Sequence, residues 1–132
     1  MKKSGFHHVS MRVRDLDKSL KFCKEGLGFV EKVSWGKAPN RTVLLDTGDG
    51  NYFEISQGDP NQNPPEGIFA HIALRTDDCK AATEAARAAG AQVTMEPREI
   101  TLEASPSTLQ LYISFFKGPD GEIIEFFQND QT

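Results

Sequence analysis

Two histidines and two glutamates stand at matched places in a chain that repeats itself, and together they offer two imidazole nitrogens and two carboxylates to one metal ion. His8-Val9-Ser10-Met11-Arg12-Val13-Arg14-Asp15 recurs as His71-Ile72-Ala73-Leu74-Arg75-Thr76-Asp77-Asp78. The segment from Leu44 to Ile55, LLDTGDGNYFEI, recurs from Phe115 to Phe126 as FFKGPDGEIIEF, with Asp49-Gly50 and Glu54 spaced as Asp120-Gly121 and Glu125 are. A single histidine on a strand is usually a hydrogen-bonded polar residue, and a single glutamate near a strand end is usually solvated. The repetition gives these four their weight, because a buried carboxylate is costly unless it is paired or metal-bound. A mixed nitrogen and oxygen set without thiolate suits nickel, zinc, cobalt, manganese or iron in a five- or six-coordinate arrangement. Such a site keeps a position for water or substrate, where the ion can polarise an oxygen, and a carboxylate there can accept a proton.

The elements that must position these residues follow from apolar periodicity and turn residues. Strands are expected at Phe6 to Val13, Val30 to Trp35, Thr42 to Asp46 and Asn51 to Ser56, with a helix from about Leu16 that Gly26 and Gly28 end. Gly48-Asp49-Gly50 marks a hairpin. The second copy repeats this plan. It has a strand at Phe69 to Thr76, a helix at about Asp78 to Ala89 stopped by Gly90, and strands near Gln92 to Glu96, Leu109 to Phe116 and Glu122 to Gln128. Gln57 to Gly67, rich in proline and polar residues, reads as a linker, and Pro97 to Thr108 reads as a loop able to act as a lid or as a pocket wall. One domain over 1–132 is therefore expected, built of repeat 1 (about 5–57) and repeat 2 (about 68–129).

Side chains alternate across a strand. Val9, Met11 and Val13 would pack under a helix, leaving His8, Ser10 and Arg12 on the opposite face; Ile72 and Leu74 likewise oppose His71, Ala73 and Arg75. Tyr52, Glu54 and Ser56 oppose Phe53 and Ile55, and Ile123, Glu125 and Phe127 oppose Ile124 and Phe126. All four candidate ligands then share the face turned from the helices. Alternation sends His7 to the helix side, where the second copy has Ala70, so His7 is not counted among them. The fold class expected is α+β, two βαβββ repeats forming a curved mixed sheet with helices on its outer face.

The totals narrow the partners. With 132 residues, 38% of them hydrophobic, and a net charge of −4, the chain can bury a core but is poorly suited to nucleic acid or an anionic membrane. The opening Met1-Lys2-Lys3-Ser4-Gly5 lacks the apolar run of a signal peptide, and no stretch reaches the roughly 18 apolar residues of a membrane helix, so a cytoplasmic protein is expected. Cys23 and Cys79 occupy unmatched helical positions and are read as small packed side chains.

These residues resemble the vicinal oxygen chelate superfamily, the glyoxalase, bleomycin resistance protein and dioxygenase group, and within it the glyoxalase I type. The resemblance runs from Phe6 to Gln128 and is carried by HHVSMRVRDLDKSLKFCKEGLGF, NYFEIS, AHIALRTDD and GPDGEIIEFF. It implies that His8, Glu54, His71 and Glu125 bind one divalent metal, that Glu125 is the catalytic base and that Arg12 holds a carboxylate of a thiol cosubstrate such as glutathione. The activity it implies converts the hemithioacetal of a 2-oxoaldehyde into a 2-hydroxyacyl thioester through an enediolate, with Tyr52, Ile123 and Phe127 beside the substrate's alkyl part. Glyoxalase I often has an asparagine four residues after its first glutamate ligand, where this chain has Gly58. The same superfamily holds acyl-CoA epimerases, ring-cleaving dioxygenases, thiol transferases and drug-binding resistance proteins. Its members commonly form homodimers, so a homodimer acting on a small molecule is expected.

Overall fold

The computed structural model describes residues 4–59, 68–119 and 121–132. The elements in chain order are β1 (Ser4–Val13), α1 (Leu16–Lys21), β2 (Val30–Trp35), β3 (Thr42–Asp46), β4 (Tyr52–Gln57) and β5 (Phe69–Thr76). They are followed by α2 (Cys79–Ala88), β6 (Gln92–Leu102), β7 (Ala104–Ser105), β8 (Leu109–Lys117) and β9 (Ile123–Gln128). These elements form two compact units. The first is His8–Ala70 with Glu103–Thr108; the second is His71–Leu102 and Leu109–Thr132 with the start of β1 as far as His7. Each unit combines a mixed sheet with one helix, as an α+β fold requires.

In the first unit the strand order is β1-β4-β3-β2-β7, with β1 and β4 parallel and the other pairs antiparallel. Asp15 caps α1 by accepting the Lys18 N–H at 3.0 Å. A π-helical turn, Phe22–Gly26, continues the helix, and Gly28, at φ +76°, supplies the left-handed residue that turns the chain away. Leu16, Leu20 and Cys23 bury against Val43, Leu45 and Ile55, with Met11, Val13, Phe29 and Phe53 around them. Burying each aliphatic side chain of this layer contributes roughly 1.5–3 kcal/mol. The other sheet face packs Val33, Leu44 and Tyr52, with Trp35 and Ala104 alongside. The β3–β4 hairpin is held by its own polar groups. The Asp49 carboxylate accepts from the Thr47 hydroxyl at 2.8 Å and the Asn51 N–H at 3.0 Å, which holds its pKa below the usual carboxylate value.

The second unit has the order β6-β8-β9-β5, with β5 and β9 parallel and the other pairs antiparallel. Asp78 caps α2 by accepting the Ala81 N–H at 3.0 Å, and the helix stops at Ala89 before Gly90, at φ +103°. Its inner side is small and polar. Thr83 Oγ1 lies 2.7 Å from Ser114 Oγ, and the Cys79 thiol donates to Ser114 Oγ at 3.5 Å. Burial pushes the pKa of both thiols, Cys23 and Cys79, upward, in keeping with packed, unreactive side chains.

The loop expected at Pro97 to Thr108 is largely strand. Strand β6 continues to Leu102, and Ala104–Ser105 forms the short strand β7, which pairs with β2. Its β character was hidden by Pro97 and by the charges of Glu96, Arg98 and Glu99. Register shifts between Val93 and Met95 and between Met95 and Arg98 form the irregularity that tolerates a proline, and β6 is the outer strand of its unit's order, where charge is acceptable. Of the expected linker, Gln57 belongs to β4 and Pro60 to Gly67 lie outside the described residues; Asp120 of the second Asp-Gly turn does too. Among the described residues no helix is long and apolar enough to cross a membrane.

Candidate metal centre

Each unit pairs its histidine with its glutamate. In the first, His8 on β1 and Glu54 on β4 come from parallel neighbours, and His8 Nε2 lies 3.4 Å from Glu54 Oε2. The His8 side chain is fully buried and that of Glu54 is 13% exposed. In the second, His71 on β5 and Glu125 on β9 again come from parallel neighbours, with His71 Nε2 3.2 Å from Glu125 Oε1 and side chains 15% and 5% exposed. The strand registers match as well: Ser10 sits opposite Glu54, and its repeat mate Ala73 sits opposite Glu125. The duplication read from the sequence is therefore a duplication of geometry.

Alternation explains the faces. In the first unit the helix covers the side bearing Val43, Leu45 and Ile55, which leaves Glu54 on the opposite side of β4. In the second, Gln128 meets the start of α2, so Glu125, three residues earlier, points away from that helix.

The donor set fits a divalent ion. Two donors each about 2.1 Å from one ion, at near right angles, stand about 3 Å apart, which is close to the spacing in both pairs. A glutamate as enclosed as Glu125 needs a cation partner, and a protonated histidine or a metal would provide one. Within each unit, the pair offers one imidazole nitrogen and one carboxylate oxygen to an ion.

The remaining expected residues divide. Arg12 is exposed, and its N–H donates to Ile68 O at 2.7 Å. Gly58 packs against its stem, where an added Cβ would come within 3.1 Å of Arg12 Cγ. A side chain in place of Gly58 would press on the arginine stem, which would have to give by a few tenths of an ångström. Arg75, the repeat mate, is engaged with backbone, donating from Nε to Phe6 O and from Nη1 to Thr132 O, each at 3.0 Å. Tyr52 is 4% exposed in the Val33 and Leu44 cluster, Phe127 is 4% exposed and Ile123 is 37% exposed. The ring of His7, which was not counted among the ligands, lies against Phe127 at 4.2 Å between centroids, and its Nε2 lies 2.6 Å from Thr132 Oγ1.

Three residues that support the site escaped the sequence reading. The Ser10 hydroxyl donates to Glu54 Oε1 at 3.2 Å. Gln57 Oε1 accepts the Leu16 N–H, and Gln128 Oε1 accepts the Cys79 N–H, each at 2.8 Å. The signal was there, since Gln57 and Gln128 each stand three residues after a candidate ligand.

The family model described as Glyoxalase/Bleomycin resistance protein/Dioxygenase superfamily matches residues 5–126. A "Probable lactoylglutathione lyase" of Vibrio parahaemolyticus is 33% identical, over 95% of this chain and 91% of its own length. A "Lactoylglutathione lyase" of Haemophilus influenzae is 34% identical, over 95% and 93%. The crystal structure of methylmalonyl-CoA epimerase from Mycobacterium tuberculosis matches with a TM-score of 0.74 at 21% identity, over 96% of this chain and 88% of that one, a likeness that shows the α+β fold. From the family match and these whole-length relatives, the chain belongs to the glyoxalase, bleomycin resistance protein and dioxygenase superfamily, the vicinal oxygen chelate proteins.

Proposed function

We propose that this protein is a metal-dependent lyase or isomerase of the glyoxalase I type, in which His8, Glu54, His71 and Glu125 hold one divalent ion. The observation that carries the reading is the pair of matched His–Glu contacts, 3.4 Å in one repeat and 3.2 Å in the other. Relatives bearing the lyase name at 33% and 34% identity support the choice of reaction. The substrate is the hemithioacetal of a 2-oxoaldehyde, and the product is a 2-hydroxyacyl thioester. A bound nickel, zinc, cobalt, manganese or iron ion supplies Lewis acidity to the two adjacent oxygens of the substrate.

The chain's own residues do the rest. Glu125 accepts the proton from the carbon that bears sulfur and returns it to the neighbouring carbon, so the reaction is an internal transfer that needs no outside oxidant or reductant. Its enclosure keeps water from competing for that proton. Arg12, exposed at the end of β1, pairs with a carboxylate of the thiol portion. Tyr52, Ile123 and Phe127 share a strand face with the two glutamates and line the approach of the alkyl part. Two copies of the chain pair, as members of this family commonly do.

A second reading, proton transfer at the α-carbon of an acyl-CoA, draws on Gly58, which stands where glyoxalase I often places an asparagine for glutathione. Metal-loaded protein assayed on hemithioacetals of glutathione and other small thiols, and in parallel for deuterium exchange into acyl-CoA thioesters, separates the two. Thioester formation supports the lyase. Exchange into acyl-CoA alone replaces it with the epimerase.

A further inference from the structure

The two glutamates are matched in register but not in their neighbours. Opposite Glu54 in the parallel β1/β4 pair stands Ser10, only 5% exposed, and its hydroxyl donates to Glu54 Oε1 at 3.2 Å. The other carboxylate oxygen, Oε2, is the one 3.4 Å from His8 Nε2. Ser10 therefore engages one oxygen and leaves the other aimed toward the histidine. Opposite Glu125 in the parallel β5/β9 pair stands Ala73, fully buried, whose methyl group can neither donate nor accept a hydrogen bond.

We propose that Ser10 is a positioning residue that fixes the rotation of the Glu54 carboxylate, so that Oε2 stays turned toward His8, where it would be ready to hold the ion. The inference rests on the metal-dependent reading above and deepens it. A hydrogen bond from a buried hydroxyl to a carboxylate restricts the oxygens to one plane, and groups that orient metal ligands in this way commonly set metal affinity.

The test is a calorimetric titration of metal-free protein with cobalt(II), with the visible absorption of the bound ion as a second readout. The proteins compared are the wild type, Ser10→Ala and Ser10→Thr. Ser10→Ala is expected to bind cobalt about 10–100-fold more weakly and to change the absorption spectrum as the released carboxylate alters coordination. Ser10→Thr, which keeps the hydroxyl on a side chain suited to a strand, is expected to restore both. Wild-type affinity and spectrum in Ser10→Ala would overturn Ser10's role while leaving the metal site standing. A wild-type protein that binds no cobalt would overturn the ligand assignment itself, and the role of Ser10 with it.

Discussion

Gln128 Oε1 accepts the backbone N–H of Cys79 at 2.8 Å, tying the start of α2 to the strand that carries Glu125. Gln57 does the same for Leu16 and α1 from the strand that carries Glu54. The first turn of a helix has N–H groups without intrahelical partners, so each glutamine satisfies one of these while setting the distance between a helix and a ligand strand. Gln57→Leu or Gln128→Leu should each lower stability by about 1–3 kcal/mol, read as a shift in the urea unfolding midpoint. An unchanged midpoint in both would remove the glutamines from the account.

Replacing Glu125 by Gln keeps size and one ligand oxygen but removes the base. Turnover on hemithioacetals should fall by roughly 10²–10⁴-fold, with bound metal retained as measured by elemental analysis. Turnover close to wild type would move the proton-carrying role elsewhere.

The two matched arginines should behave differently. Arg12→Ala is expected to raise KM for a hemithioacetal whose thiol carries a carboxylate, with little change in the melting temperature. Arg75 holds two backbone carbonyls, so Arg75→Ala is expected to lower the melting temperature instead. Gly58→Asn puts a side chain within 3.1 Å of Arg12 Cγ, and it should raise KM in the same way as Arg12→Ala. The same KM in Gly58→Asn as in the wild type would show that the seat of Arg12 does not matter.

Pairing of two copies predicts a particle of twice the 14.6 kDa chain mass in sedimentation at micromolar concentration. A monomer throughout the range would contradict it.

Much of this was legible in the sequence, for physical reasons. Strand alternation placed Glu54 and Glu125 on the side away from the helices because a half-buried strand must sort its side chains two by two. The start of α1 was legible because an aspartate, Asp15 or Asp17, stands beside the apolar run from Leu16; Asp15 is the cap, and Asp78 caps α2 in the same way. What was not legible depends on partners far away in the chain. The hydroxyl of Ser10 finds Glu54, Gln57 finds Leu16, and Gln128 finds Cys79; the matched spacing of the two glutamines marks the residues, but not the partners they meet. The contacts of His7 with Phe127 and Thr132, at the other end of the sequence, are of the same kind. Strand β6 was cut short at Glu96 because Pro97 is a strand breaker everywhere except at an edge or an irregularity, and β6 provides both.

The central claim is that the matched pairs serve a common ion, and calorimetric titration of the metal-free protein with nickel(II) tests it most directly. The wild type should take up a single ion per chain with release of protons, and His8→Ala and His71→Ala should each lose most of that affinity although the two residues come from different repeats. Wild-type nickel affinity in both variants, or loss in one alone, would contradict it.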